Sequence, residues 1–196
     1  MSTIRRARPD DAAACADIYA PYVRDSAVSF EETPPSDEEM RERLRSTLET
    51  YPWLVCEREN RVVGFAYASD HRNRTAYQWS VELSIYVDDD HRRAGIATGL
   101  YESLFAVLGE QGFYNGYAGV TLPNRASVAF HREMGFEPVG TYENVGYTAG
   151  EWHDVQWWRK QLRQPEDDPE PPVPISTFST AQFEAAVTAG VDSLDA

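Results

Sequence analysis

A strand–turn–helix unit in the middle of the chain places the strongest constraint on the fold. Residues 79–87, WSVELSIYV, have the apolar and β-branched composition of a strand. From residue 95 to 111, apolar residues recur at helical spacing, and Gly112 follows as a stop signal. Only a short polar turn separates the two elements. This order predicts a helix packed on a sheet within an α/β domain.

The rest of the chain extends this unit to one mixed-sheet domain. The pattern predicts the order β-α-α-β-β-β-α-β-α-β-β. The predicted strands are residues 3–7, 51–57, 61–69, 79–87, 115–121, 137–147 and 152–160. The predicted helices begin near Pro9 and cover residues 36–50, 95–111 and 125–134.

The end of the chain differs in composition. Residues 1–163 form the predicted domain, whereas residues 164–196 are acidic and proline-rich at their start, which is typical of a solvated linker outside the core. Within this tail, residues 180–189 could form one short amphipathic helix that docks on the domain or on a partner. A frayed tail is the alternative interpretation.

The charge balance excludes some functions. The formal net charge is −14, from 32 acidic and 18 basic residues, and Lys160 is the single lysine. No basic stripe exists that could match the phosphates of a nucleic acid. Such an acidic, lysine-poor surface is typical of a protein kept soluble in high salt, so we predict a halophilic source.

Other features of the composition indicate a soluble cytoplasmic protein. No apolar run approaches the length of a membrane span, and no apolar segment follows the charged N-terminus as in a secretory signal. Cys15 and Cys56 lie in apolar or amphipathic stretches without metal-ligand spacing, so we predict two buried reduced thiols. The histidines also lack ligand spacing, and we predict no metal site.

The turn before the central helix has the chemistry of an anion site. A helix N-terminus presents unpaired N–H donors, and glycine allows close approach of a ligand to the backbone. Arg92-Arg93-Ala94-Gly95-Ile96-Ala97 combines this geometry with two cations, which favours a diphosphate. The alternative is that the arginines only solvate a surface loop.

The sequence resembles the GNAT family of acetyl-CoA-dependent N-acetyltransferases. Arg92, Gly95 and Ala97 match the family signature Arg/Gln-x-x-Gly-x-Gly/Ala, and the element order agrees. The segments YPWLV, AYQWSVE, LPNRASVAFHREMGF and EWHDVQWW are similar to the phosphinothricin (methionine sulfoximine/sulfone) acetyltransferase branch. The resemblance covers about residues 3–162.

This resemblance implies an α/β (α+β) fold with a mixed, mostly antiparallel central sheet flanked by helices. It also implies acetyl-CoA as the co-substrate and a homodimer, with Trp157 and Trp158 near the interface. Asn124 would contact the pantetheine arm. The expected cofactor-binding residues are Val87, Arg92, Arg93, Ala94, Gly95, Ile96, Ala97 and Asn124.

Three residues are candidates for proton transfer. Glu82 is the one acid in the strand 79–87, and an interior carboxylate has a raised pKa suited to a general base. His131 stands where many GNAT members carry a tyrosine, and it could act as an acid toward the thiolate or as a second base. Tyr101 could reach the thiol or the oxyanion, or it could simply pack in the core.

The expected substrate residues are Phe30, Arg72, Arg74 and Tyr77. Two arginines and a phenol would attract an anionic small molecule, which agrees with acetylation of the amine of phosphinothricin, methionine sulfoximine or methionine sulfone. Surface ion pairing of the arginines is the alternative. Two rival functions stay open: a protein N-terminal acetyltransferase and a non-enzymatic acetyl-CoA sensor.

Overall fold

A seven-stranded sheet forms the centre of the computed structural model, which describes residues 2–194. The strands are β1 Ser2–Arg6, β2 Trp53–Arg58, β3 Arg61–Asp70, β4 Ser80–Val87, β5 Asn115–Thr121, β6 Glu137–Thr148 and β7 Glu151–Gln161. Their order is β1-β2-β3-β4-β5-β7-β6, and only β4 and β5 pair in parallel. The predicted mixed, mostly antiparallel sheet is confirmed.

The helices follow the predicted order. They are α1 Ala12–Arg24, α2 Asp37–Thr50, α3 Ile96–Gln111, α4 Arg125–Glu133 and α5 Thr180–Val187. Gly112 ends α3 in the left-handed conformation, with a φ of 98°, as the sequence predicts. Within residues 2–194, no helix is both long and apolar enough to cross a membrane.

Strand alternation divides the core into two layers. Val81 and Leu83 of β4 point to the face covered by α3, where they join Leu100 and Leu104 in one apolar cluster. The opposite face carries Phe65 and is covered by α1 and α2. We call these the α3 face and the α1–α2 face. Residues of even number in β4, including Glu82, therefore point toward the α1–α2 face.

Apolar residues between Ile175 and Leu194 pack against the domain, which corrects, for this part of the chain, the expectation that residues 164–196 lie outside the core. Ile175, Phe183, Val187 and Leu194 are all buried in the cluster of the α3 face. The guanidinium of Arg6 donates a hydrogen bond of 2.5 Å to the carbonyl of Ile175. The prediction from composition was wrong here because a few well-spaced apolar residues are enough to anchor an otherwise acidic segment.

Removing one of these anchors tests the packing. We expect Phe183→Ala to lower the free energy of unfolding by about 3 kcal/mol, the usual cost of emptying a buried aromatic site. Denaturant unfolding would measure it, with Glu184→Ala, an exposed neighbour on α5, as the matched control. Equal stabilities of the two variants would contradict the observed docking.

Candidate active site

The sheet opens in the middle of its parallel pair. β4 and β5 pair only at Ser80 with Asn115, Val81 with Gly116 and Glu82 with Tyr117. Beyond Glu82 the two strands continue to residues 87 and 121 without pairing to each other. Backbone N–H and C=O groups therefore face a gap, which an extended ligand with amide groups of its own can bridge as an added strand would.

The turn that follows β4 lies at the end of this gap. Arg93 and Gly95 have left-handed φ values of 61° and 71°, and α3 begins directly after Gly95. The first amides of a helix have no intrahelical acceptor, so they are available to an anion. Beside the turn lies a cavity of about 280 Å³. It is lined by Val87, His91, Arg92, Arg93, Gly95, Ile96, Ala97, Thr98, Phe130 and Glu133.

Three of the predicted cofactor residues at this turn, Arg92, Ala94 and Ile96, differ in their surroundings. Arg92 is exposed and held by Asp89 at 2.5 Å, and its guanidinium lies 5.7 Å from the centre of the Tyr22 ring. Ile96 is buried, so only its backbone can meet a ligand. Ala94 packs against the apolar cluster instead of lining the cavity.

Asn124 is the N-cap of α4. Its side-chain oxygen accepts a hydrogen bond from the backbone N–H of Ser127 at 3.1 Å. The cap occupies the carboxamide oxygen, so the NH₂ group is the part that could meet a ligand. Amide donors at a helix start, arginines, and strand edges that face a gap together fit a nucleotide diphosphate joined to a pantetheine arm.

Glu82 stands at the point where β4 and β5 separate. Its carboxylate is partly buried and lies 3.3 Å from Nδ1 of His71, whose ring stacks on Tyr117 with centroids 4.5 Å apart. Burial raises the pKa of Glu82, while the positive charges of His71 and Arg72 act in the opposite direction. This places a carboxylate of increased basicity at the opening of the sheet.

Sequence reasoning missed His71. Ser69 pairs with Glu82 in the antiparallel β3–β4 register. Residue 71 is two positions further along, so it points to the same face. Finding it requires the register of this hairpin, which only the structure gives.

The structure brings together only some of the predicted substrate residues. Arg72 lines a cavity of about 190 Å³ with His71, Tyr117 and Trp157, and the Tyr77 ring meets His71 edge-on at 6.2 Å. Phe30 lies elsewhere, against the β6–β7 hairpin, with its ring 6.2 Å from that of His153.

Arg74 is separate from this cluster. It is exposed, and its side chain forms no hydrogen bond or ion pair within residues 2–194.

Tyr101 and His131 form a second polar pair, on the α3 face. His131 is 4% exposed and Tyr101 is completely buried among aromatic rings. Nδ1 of His131 donates to the carbonyl of Ser127 at 2.8 Å, so Nε2 must accept the Tyr101 hydroxyl, 3.3 Å away. Burial raises the pKa of Tyr101 and lowers that of His131, so both groups are neutral near pH 7.

An opened sheet with an arginine-flanked helix start at one end and a carboxylate at the other is the arrangement expected of an acyltransferase of the GNAT type. The GNAT acetyltransferase domain model matches residues 4–157, and the chain belongs to this family.

The chain is 38% identical to the phosphinothricin N-acetyltransferase of Streptomyces viridochromogenes over 172 residues, which is 88% of this chain and 92% of that one. It is 30% identical to an L-methionine sulfoximine/L-methionine sulfone acetyltransferase of Salmonella typhimurium, over 82% and 94% of the two chains.

The solved structure of a GNAT superfamily phosphinothricin acetyltransferase from Sinorhizobium meliloti in complex with AcCoA aligns with a TM-score of 0.80. The two sequences are 34% identical, and the alignment covers 87% of this chain and 96% of the Sinorhizobium meliloti chain. The protein is an acetyl-CoA-dependent N-acetyltransferase.

The contact between His71 and Glu82 predicts a shift in pH dependence. A general base must be ionised, so activity rises with pH through the pKa of that base. His71→Ala removes a positive neighbour that lowers the pKa of Glu82, so we expect the acid limb of kcat/KM to move to higher pH.

Initial rates over a pH series would measure this shift. His153→Ala, whose histidine contacts the Thr148 carbonyl on the β6–β7 hairpin instead, should leave the midpoint of the acid limb in place. If the acid limb of His71→Ala stayed fixed or moved to lower pH, the Glu82 carboxylate would not be the group that sets this limb.

Proposed function

We propose that the protein transfers the acetyl group of acetyl-CoA to the α-amine of a small anionic amino-acid analogue of the phosphinothricin, methionine sulfoximine or methionine sulfone type. The observation that carries this proposal is the position of Glu82 at the opening between β4 and β5, next to a cavity that holds Arg72. The named relatives act on substrates of this kind.

Cofactor binding in this proposal depends on the turn from Arg92 to Ala97. The α3 amides and the two arginines would hold the diphosphate, and Asn124 and the strand edges in the gap would hold the pantetheine arm. Acetyl-CoA supplies an activated acetyl thioester, whose sulfur leaves as a thiolate that needs a proton. The remaining steps belong to side chains of this protein.

Glu82 is the proposed general base. At neutral pH the α-amine of an amino acid is protonated. One proton must be removed before the nitrogen can attack the thioester. Burial raises the pKa of the Glu82 carboxylate, which brings it closer to the value that this step requires. His71 contacts the same carboxylate and would stabilise its ionised form, so it is a positioning residue.

Tyr101 and His131 would serve the opposite side of the opening. Their hydrogen bond points the phenolic proton at Nε2 of His131, so His131 is the proton acceptor of this pair and Tyr101 the donor. Since burial lowers the pKa of His131, a charged imidazolium is disfavoured there. We therefore propose that His131 accepts the hydrogen bond of Tyr101 and is not the acid, and that the leaving thiolate takes the second proton that the amine nitrogen releases as the amide forms.

Substrate recognition would depend on Arg72. Its positive charge lies near enough to Glu82 to affect the pKa of the carboxylate, and it lines the cavity beside His71. A guanidinium there can bind a phosphinate, a carboxylate or a sulfone oxygen. Tyr77 borders His71 from the same loop.

Assembly and environment are part of the same proposal. Exposed apolar residues cover the β6–β7 hairpin and support a homodimer through this edge: Val139, Tyr142, Val145, Tyr147 and Trp152. Trp158 is fully buried in the core, so it is not an interface residue. The charge of −14 supports a cytoplasmic enzyme that works in high salt.

Replacing Glu82 tests the base. We expect Glu82→Gln to lower kcat by about 10²- to 10⁴-fold, the usual contribution of a general base, with an unchanged Kd for acetyl-CoA. Steady-state kinetics and calorimetry would measure the two quantities. Glu137→Gln, an exposed glutamate on β6, is the control. Full turnover by Glu82→Gln would remove this residue from the mechanism.

A substrate panel tests the proposed specificity. Thiol release from acetyl-CoA would be followed in molar salt with phosphinothricin, methionine sulfoximine, methionine sulfone, ordinary amino acids and short peptides. We expect turnover of the anionic or sulfur-oxidised analogues, with a KM for the amine raised by Arg72→Ala about tenfold, as for the loss of one charged hydrogen bond. Arg74→Ala should leave this KM unchanged.

Other outcomes of the panel would overturn the proposal. Turnover of peptides alone would indicate a protein N-terminal acetyltransferase. Binding of acetyl-CoA without turnover of any amine would favour the sensor.

A further inference from the structure

The chain beyond α5 lies along the same helix that carries the cofactor turn. Thr188–Ser193 form a 3₁₀ helix that is followed by Leu194, and we call residues 188–194 the C-terminal segment. The segment contacts α3 and its cap at Gly95, Gly99 and Ser103, three small residues at intervals of four. It thus runs along one face of α3 toward the turn.

Two glycines allow the segment to approach this closely. A Cβ atom at Gly190 would lie 1.8 Å from the carbonyl oxygen of Gly99, and a Cβ atom at Gly99 would lie 2.5 Å from the carbonyl oxygen of Gly190. Neither position can hold a side chain without moving one backbone away from the other. Just before the segment, the hydroxyl of Ser103 donates to the carbonyl of Val187 at 2.7 Å.

The segment ends against the cap residue of the turn. A Cβ atom at Gly95 would lie 1.9 Å from the carbonyl oxygen of Ser193. The hydroxyl of Ser193 donates to the carboxylate of Glu102 at 2.5 Å, and Leu194 is buried in the α3 cluster. The sequence suggested that glycine at 95 leaves space for a diphosphate, whereas the structure shows that it leaves space for Ser193.

The segment does not fill the cofactor cavity. Among residues 2–194, those that line the cavity of about 280 Å³ run from Val87 to Glu133, and none belongs to the segment. Gly95 is shared, since it borders the cavity and also contacts Ser193. The C-terminal segment therefore packs against the turn without obstructing the cavity.

We propose that the C-terminal segment is a positioning element for the diphosphate-binding turn. Two left-handed residues, Arg93 and Gly95, make this turn costly to order, and a support that orders it in advance lowers the cost of binding. Displacing the segment would then weaken the binding of acetyl-CoA specifically. This inference rests on the proposed binding of acetyl-CoA at this turn.

Two variants would displace the segment in different ways. Gly190→Ala inserts a methyl group against the Gly99 carbonyl, and a chain that ends at Val187 removes the segment while keeping α5. Gly109→Ala is the matched control, because a Cβ atom there meets nothing within 4 Å. Calorimetry with coenzyme A, kinetics with both substrates and a thermal melt would be measured for each protein.

We expect the KM for acetyl-CoA and the Kd for coenzyme A to rise about tenfold in both variants, as when one charge-assisted amide contact is lost. The kcat at saturating acetyl-CoA and the KM for the amine should stay within about twofold of the wild type.

Two results would overturn the inference. A lower kcat with unchanged cofactor constants would mean that the segment only stabilises the fold, because an unfolded fraction removes active enzyme without changing affinity. Constants equal to those of Gly109→Ala would mean that the turn does not need the support. Wild-type protein that binds no coenzyme A would instead overturn the proposed function, and this inference with it.

Discussion

The separation of β4 and β5 is the constraint on which the rest of the structure depends. Pairing ends at Glu82 and Tyr117, so a parallel pair that would otherwise be closed by backbone hydrogen bonds leaves a gap at the centre of the sheet. The turn before α3 follows β4 at one end of this gap, and Glu82 stands at the other end, where the opening starts. The proposed cofactor site and the proposed base thus both lie at one interruption of one ladder.

The opening divides the chemistry between the two faces of the sheet. Glu82, His71 and Arg72 belong to the α1–α2 side, where part of the surface is accessible and charges are tolerated. Tyr101 and His131 belong to the closed α3 side, where burial keeps both groups neutral. Accessible polar side chains therefore lie on one side of the sheet, and a buried, neutral hydrogen-bonded pair lies on the other.

The α3 helix links these sites to the end of the chain. Its first turn borders the cofactor cavity, Tyr101 lies about one turn further along, and its small residues receive the C-terminal segment. One helix thus connects the proposed cofactor site, the proposed proton-transfer pair and the packing of the last described residues.

The sequence by itself determined the element order and the family, and it singled out the Arg92–Ala97 turn and Glu82 as candidate site residues, because these depend on local periodicity and on short motifs. Tertiary structure decided the rest. Whether Arg72 or Arg74 reaches the site depends on the path of a loop. The position of His71 depends on the register of the β3–β4 hairpin. The reason for glycine at position 95 depends on its contact with Ser193. These are contacts between residues distant in the chain, and no local pattern encodes a long-range distance.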